Sequence, residues 1–205
     1  MGLFDFLFGR SRSLVEMAED RIWLTDASKW TGIKHDIEEQ LEQRVSGLLL
    51  VAHFPDVLAV LSRIAAEQKS RVPIAACLVG SLSRSLVANW ALGEQSQVVV
   101  IAGERHPLRT LDMRAVQFAK ELPGRCRVVW HISLEDPLMK SFAGDWLAVT
   151  LKKLGLNENE SIQSGMISRR IRTAQLALEK RVIGESAARN AADWFEKNVS
   201  GQPMG

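Results

Sequence analysis

Four short apolar runs, separated by stretches with helical periodicity, constrain the fold of this chain most strongly. The runs show no alternation of apolar and polar residues, which is typical of strands buried on both faces of a parallel sheet. Apolar strands that alternate with amphipathic helices predict an α/β fold, with a parallel sheet and helices on both of its faces. The four runs are Leu48–Ala52, Ile74–Val79, Gln97–Ala102 and Arg127–Ile132.

Local signals predict where several helices begin and end. Thr25 or Asp26 can cap a helix, because a side-chain oxygen there accepts a hydrogen bond from the first turn. Pro55 suits the first turn of another helix, since proline has no N–H to lose there. A third helix is predicted from about Leu108 to Leu122, where Pro and Gly follow.

The C-terminal third of the sequence differs in character from the rest. Residues 135–154 predict two short helices around Gly144, and Asn157–Ser161 is a polar linker. Residues 166–198 then show one helical pattern with a narrow apolar stripe, which predicts a long arm that packs against other helices. The sequence is therefore divided into an N-terminal apolar and basic segment (1–20), an α/β domain (21–142) and a helical arm (143–205).

The N-terminus predicts a surface segment. No apolar run reaches the roughly 20 residues that span a bilayer, and the basic residues follow the apolar Met1–Gly9, the reverse of a secretory signal. The segment either lies on a membrane surface or folds back on the domain. We predict a cytoplasmic protein, with peripheral contact at the inner face of the cytoplasmic membrane if the segment binds lipid. The contact residues would be Leu3, Phe4, Phe6, Leu7 and Phe8.

The sequence contains no recognisable catalytic, cofactor or metal site. No glycine-rich P-loop follows a strand, and Gly80 is better explained as a connecting turn than as a phosphate cradle. Cys77 and Cys126 lie in apolar runs, which predicts buried reduced thiols. His131 and Ser133 fall on the same face of a strand, but no oxyanion loop or orienting carboxylate accompanies them. We expect no metal and no cofactor.

Two charged regions are candidates for function. Gly103–His106 follows the clearest strand, and ligands of open parallel sheets bind beyond the carboxyl ends of strands. This loop predicts either a ligand site or a brace that holds a neighbouring domain by ion pairs. The second region contains Arg169, Arg170 and Arg172. It could contact phosphate, but it lacks interleaved aromatic residues, so a solvated helix face is favoured.

Both regions also carry a family resemblance. Val100–His106 resembles the segment Val-Ile-Gly-Thr-Glu-Arg-His that opens the last helicase motif of SecA, the preprotein-translocase ATPase. Ile132–Met139 is similar to SecA's Leu-Ser-Leu-Glu-Asp-Asp-Leu-Met, and Met166–Arg169 matches the beginning of its helical scaffold. The resemblance is specific from about residue 98 to 181 and only topological from 21 to 79. It implies a RecA-like three-layer domain followed by a helical-scaffold arm.

Departures from the SecA pattern concern the residues that touch nucleotide. The family run Gln-x-Arg-Gly-Arg-x-Gly-Arg supplies arginines to the nucleotide, whereas this chain has Phe118 and Glu121 where two of those arginines would be. A carboxylate repels phosphate, and a phenyl ring cannot donate hydrogen bonds to it. The P-loop lobe of the family has no counterpart in this sequence.

The resemblance and its departures together imply a non-catalytic, SecA-related accessory protein of bacterial protein export. Its expected partner is SecA, the Sec machinery or an exported polypeptide. Two alternatives stay open. The chain could complete an ATPase site in trans, with Arg125 or Arg127 as a displaced arginine finger, or the basic helix could bind nucleic acid. The residues predicted to form an interdomain or partner surface are Glu104, Arg105, His106 and Arg109.

Overall fold

A computed structural model describes residues 14–153, 157, 159–182 and 184–199. The predicted membrane-contact residues between Leu3 and Phe8 lie outside the described residues. The helices and strands are β1 (Leu14–Met17), β2 (Arg21–Trp23), α1 (Asp26–Glu42), β3 (Gly47–Ala52), α2 (Pro55–Glu67), β4 (Ile74–Leu78), β5 (Gln97–Ala102), α3 (Arg109–Asp112), α4 (Arg114–Glu121), β6 (Arg125–Ser133), α5 (Pro137–Lys153), β7 (Ile162–Gln163), α6 (Gly165–Glu179) and α7 (Ala191–Asn198).

The strands form one mixed sheet in the described part of the chain. Its order is β4-β3-β5-β6-β2-β7, and β1 pairs with the first half of β6. Every pairing is parallel except that of β7 with β2. The prediction of an α/β fold with a largely parallel sheet is therefore confirmed, and the architecture is consistent with a RecA-like domain.

Helices cover both faces of the sheet because alternate side chains of each strand point to opposite faces. On one face, Leu48 and Leu50 of β3 and Ile101 of β5 pack against α1 and α2. On the other face, Val100 and Val128 pack against α4. The buried side chains of β3 and β5 are all apolar, whereas β6 ends with the buried polar residues His131 and Ser133. The continuous apolar runs in the sequence follow directly from this two-sided burial.

Several local predictions are confirmed by the helix ends. Thr25 caps α1, and its side chain accepts a hydrogen bond from the Ser28 N–H. Pro55 occupies the first turn of α2. Gly124, after α4, has φ +82°, a conformation that glycine adopts at little cost. Cys77 and Cys126 are free and buried, and burial raises the pKa of Cys77 to about 11.

The prediction of a long C-terminal arm is wrong. The pattern over residues 166–198 forms two helices, α6 and α7, with Gly184 between them at φ +84°. Ile171 and Leu178 of α6 pack over Ile22 and Ile132 of the sheet. The apolar stripe is narrow because it faces the chain's own core. The two short helices predicted around Gly144 are likewise one helix, α5, since one glycine costs a helix only about 1 kcal/mol.

Candidate functional site

Charged residues converge at the carboxyl ends of the parallel strands. The Gly103–His106 loop leaves β5, His53 leaves β3, and Ser133 ends β6 at the same edge. Ligands of open parallel sheets bind at this edge. Here, however, most of the polar groups bind one another, and two elements from the C-terminal third of the chain reach the same place.

Glu104 connects the loops after β5 and β3. It is 5% exposed, and its Oε1 accepts hydrogen bonds from the backbone N–H groups of His53 and Phe54, both at 3.0 Å. Burial raises the pKa of Glu104 to about 8, against the opposing effect of the nearby Lys29 ammonium. The carboxyl group therefore acts as a brace inside the domain.

Arg105 holds two buried carboxylates together. Its guanidinium contacts Asp20, lies 2.5 Å from Asp112 Oδ2 and stacks 3.8 Å from the Trp130 ring centre. Burial alone would raise the pKa of Asp112, but the charge of Arg105, with a contact from His53, outweighs burial and holds this pKa well below its ordinary value. The cluster connects the segment after β1 to α3.

His106 lies in an aromatic environment between the sheet and the C-terminal segment. Its ring stacks on Phe54 at 5.3 Å and meets the edge of Trp194 at 5.5 Å between ring centroids. Nδ1 accepts a hydrogen bond from the Leu108 N–H, so Nε2 carries the proton, 3.1 Å from Glu185 Oε1. Burial, with the adjacent His53, lowers the pKa of His106 to about 3. The contact with Glu185 is therefore a close polar contact of a neutral imidazole.

Gln175 of α6 completes this network. Its amide donates hydrogen bonds to the His106 carbonyl oxygen at 2.8 Å and to Asp112 Oδ2 at 3.1 Å. Gln175 is 1% exposed and sits among the apolar residues of α6. Sequence reasoning missed it, as it missed Asp20 and Asp112, because none of them belongs to a local motif.

The four loop residues predicted to form an interdomain or partner surface thus occupy different environments. Glu104, Arg105 and His106 are buried or nearly so, with partners inside this chain, and Arg109 is half-buried. The loop braces the sheet against α6 and α7. Docking of a separate protein at these residues stays a prediction, and of the four only Arg105 and Arg109 are partly exposed.

A second buried ionic cluster lies at the end of β6. Lys29 is 2% exposed, and its Nζ lies 2.7 Å from Asp136 and 3.1 Å from Asp26. Ser133 donates to Asp26 Oδ1 at 2.6 Å. Burial disfavours the charged form of both groups. At Lys29 the attraction of the carboxylates outweighs burial, so the pKa of Lys29 is raised. At Asp136 burial outweighs the attraction of Lys29, so the pKa of Asp136 is also raised. We treat Lys29 as charged, because two carboxylates face it.

His131 and Ser133 do not form a nucleophile–base pair. His131 Nδ1 accepts a hydrogen bond from the Trp23 indole at 3.2 Å, and Nε2 lies 3.0 Å from Asp36. Both ring nitrogens are therefore occupied, while the Ser133 hydroxyl donates to Asp26. The two residues share a face of β6, as alternation predicts, but bind separate groups.

A groove remains open beside the buried clusters. It has a cavity volume of about 410 Å³ and lies beyond the ends of β3, β4 and β5. Its lining residues include Phe54, Val79, His106, Arg114 and Trp194. Within the part of the chain that the structure describes, no group of three or more His, Cys, Asp or Glu side chains could hold a metal ion, and no helix is long and apolar enough to cross a membrane.

Comparison with known proteins identifies relatives for about half of the chain. It is 35% identical to the protein translocase subunit SecA of Methylococcus capsulatus over 108 residues, 49% of this chain and 12% of that protein. It is 42% identical to SecA 1 of Bordetella avium over 84 residues, 40% of this chain and 9% of that protein. A SecA from Acidobacterium capsulatum gives 42% over 82 residues.

This chain contains a SecA-related region. It spans only about a tenth of the length of these SecA proteins, from 8% to 12%. No protein-family profile matches the chain.

The two positions that depart from the SecA arginine pattern lie in contrasting environments. Phe118 of α4 is 5% exposed and belongs to the apolar core on that face of the sheet. Glu121, at the end of α4, is exposed and lies 3.8 Å from Arg84. One position therefore has a structural role in the core, and the other places a negative charge at the surface.

The candidate displaced arginine fingers lie at the opposite edge of the sheet from the Glu-Arg-His loop. Arg125 and Arg127 begin β6, whereas the loop follows the end of the parallel strand β5. At about 3.3 Å per residue, the nine-residue β6 separates its two ends by roughly 26 Å. Arg127 also lies 3.7 Å from Glu16. Neither arginine can serve a site at the carboxyl edge of the sheet.

The basic residues of α6 lie on its solvent side. Arg169, Arg170 and Arg172 are exposed, whereas Ile167 and Ile171 face the core. Met166 on the same helix is 64% exposed. This arrangement agrees with the interpretation as a solvated helix face, and no aromatic side chain of α6 is available for base stacking.

Proposed function

We propose that this chain is a SecA-related protein that takes part in bacterial protein export through protein contacts and does not hydrolyse ATP itself. The observation that carries the proposal is the environment of Phe118 and Glu121, where SecA resemblance would place arginines. A buried phenyl ring and an exposed carboxylate leave no cation at either position. Stabilisation of phosphoryl-transfer charge needs cationic or hydrogen-bond donors at such positions.

The carboxyl edge of the sheet supports the same proposal. Arg105, the arginine of the Glu-Arg-His loop that resembles SecA, is fully engaged by Asp20 and Asp112. Trp194 and Gln175 occupy space above the loop. A triphosphate needs several free donors at one place, and this edge offers few. The alternative, an ATPase site completed in trans, relied on Arg125 or Arg127 as the arginine finger. Both residues lie at the other edge of the sheet, so they do not support it.

The expected partners are SecA, another part of the Sec machinery or an exported polypeptide. We place the protein in the cytoplasm, with peripheral contact at the inner face of the cytoplasmic membrane through residues 3–8. Arg109 is a partly exposed member of the predicted partner surface, and α3, the helix that it begins, contacts α6.

The test is binding of the purified chain to purified SecA and to an unfolded exported polypeptide, measured by biolayer interferometry. Saturable binding to one of them is expected, weakened about tenfold by Arg109→Glu because a favourable charge becomes repulsive. Arg71→Glu, an exposed charge reversal far from the loop in sequence, is the matched control and should bind normally. Absence of binding to both proteins would refute the proposal.

A further inference from the structure

We infer that the groove beside His106 is a binding site for a small, singly charged carboxylate with an apolar body. Neither the SecA relationship nor the export role assigns this site. The groove measures about 410 Å³, within the range of roughly 300–1,000 Å³ that ligand sites occupy. It also lies at the edge of the sheet where ligands of such folds bind.

The walls of the groove are mainly apolar and come from distant parts of the chain. Leu78 ends β4, Phe54, Val79 and Leu111 belong to the segments after β3, β4 and β5, and Trp194 belongs to α7. A site that combines an apolar wall with a few polar groups orients a ligand by those groups and retains it by burial. The body of the ligand is therefore hydrocarbon or an apolar side chain.

One cation in the groove is available to a ligand. Arg114, the first residue of α4, lines the groove and is exposed, and no described residue lies within hydrogen-bond or ion-pair distance of its guanidinium. The other charged residue of the lining, Glu185, already accepts a hydrogen bond from the Trp194 indole and lies 3.1 Å from His106 Nε2. An arginine side chain pairs with a carboxylate through two parallel hydrogen bonds.

The charge balance of the groove favours a monoanion over a polyphosphate. Arg114 supplies one positive charge, and Glu185 opposes a second negative charge on the ligand. His106 adds no cation, because burial lowers its pKa to about 3. His53 has its Nε2 engaged by Asp112. A singly charged carboxylate satisfies Arg114 without placing further negative charge against Glu185.

Two kinds of molecule carry such a carboxylate on an apolar body: a free carboxylic acid and the C-terminus of a peptide. Octanoate represents the first, and N-acetyl-leucyl-leucine represents the second. Octanol has the same apolar body as octanoate but no charge, and ATP is the polyanion control. Binding is measured by calorimetry, and its location by the shift of the Trp194 indole N–H in an NMR spectrum of the full chain.

Two glycines provide a matched pair of variants that block or spare the groove. Gly80 lines the groove, Gly93 does not, and a Cβ at either position meets nothing within 4 Å. Gly80→Phe should therefore fold and obstruct the groove, while Gly93→Phe should fold and leave it open. Arg114→Ala removes the cation, and Arg170→Ala removes an exposed cation elsewhere.

The expected result is binding of octanoate or the dipeptide that falls at least about tenfold in Arg114→Ala, as loss of a charge-assisted hydrogen bond implies. Gly80→Phe should abolish binding, and both controls should bind like the wild type. The better-binding probe identifies the source. Equal binding of octanol, tighter binding of ATP, insensitivity to Gly80→Phe or no binding of either carboxylate would overturn the inference. None of these outcomes depends on binding to SecA.

Discussion

The rings of His106 and Trp194 pack edge to face, with 5.5 Å between their centroids. Glu185 contacts both residues of this pair, because its Oε1 accepts a hydrogen bond from Trp194 Nε1 at 2.9 Å and lies 3.1 Å from His106 Nε2. A loop of the sheet and the last described helix are thus held together at the edge where RecA-like domains bind ligands. In this chain much of that edge is used for internal packing, and the groove beside His106 is the part that stays open.

Replacement of Trp194 by Ala should release the C-terminal segment before the sheet unfolds. Trp194 is fully buried, and a change of this kind costs about 3–5 kcal/mol. Hydrogen exchange should become fast over residues 184–199, while the amides of β3 and β5 keep most of their protection. Trp30→Ala, on the half-exposed side of α1, is the control and should leave residues 184–199 protected. Equal loss of protection in the strands and in α7 would show that α7 is not a separable element.

Arg105→Ala should be among the most destabilising changes in this chain. It leaves the carboxylates of Asp20 and Asp112, which are 1% and 0% exposed, without their cation. Loss of one partner of a buried ion pair costs about 3–5 kcal/mol. Arg105→Lys should recover only part of this, since an ammonium cannot make the same forked contacts. Urea unfolding measures both, with Arg170→Ala as a control that changes the unfolding free energy by less than about 0.5 kcal/mol.

A loss of about 1 kcal/mol or less in Arg105→Ala would contradict the assignment of Arg105 as the centre of a buried network. Such a result would mean that water reaches the two carboxylates in the variant. The loss of unfolding free energy in Arg105→Ala therefore shows how completely water is excluded from this cluster.

Glu104→Gln should change the pH dependence of stability in a defined direction. The pKa of Glu104 is about 8 in the folded chain, above its ordinary value of 4.5. The unfolded chain therefore releases this proton first, and the contribution of Glu104 to stability falls as the pH rises from about 4.5 to 8. A glutamine oxygen can still accept both backbone hydrogen bonds. The variant should gain about 2–4 kcal/mol relative to the wild type between pH 5 and pH 8.5.

The comparison with wild type at each pH removes the contribution of His106, which has the opposite sign. The pKa of His106 is about 3, below its ordinary value of 6.5, so its contribution is lost as the pH falls between those values. Urea unfolding of both proteins at several pH values gives the difference directly. A difference that does not vary with pH would show that Glu104 is ionised throughout.

Restoring an arginine at the two SecA-pattern positions should have unequal effects. Phe118→Arg places a charge in an apolar core position that is 5% exposed, and should cost about 3 kcal/mol or more. Glu121→Arg changes an exposed residue whose contact with Arg84 is long, and should cost less than about 0.5 kcal/mol. Thermal unfolding of the two variants measures this. A Phe118→Arg variant as stable as the wild type would mean that position 118 still opens toward solvent.

The fold was largely predictable because its strands are buried on both faces. The uninterrupted apolar runs predicted the bounds of β3 and β5 almost as the structure has them. The sequence did not predict β1 or β7. β7 has two residues beside a polar linker, too few for any periodicity, and it forms only because β2 presents a free edge.

The candidate site was predictable only in part. The Glu-Arg-His loop was identified by its position after a strong strand and by its resemblance to SecA. Its partners Asp20, Asp112 and Gln175 come from separate elements, and nothing in their local sequence marks them as ion-pair or hydrogen-bond partners. The return of α7 onto the sheet depends on the burial of Trp194 by Phe54 and His106, a long-range contact that no local pattern specifies.

Titration calorimetry of the purified full chain with MgATP most directly tests the proposal that this chain does not bind nucleotide. We predict no detectable heat of binding up to millimolar ATP and no phosphate release, with the wild type and Arg105→Lys behaving alike. Micromolar affinity for ATP would contradict the proposal that this SecA-related region kept its fold while the cations that contact nucleotide were replaced.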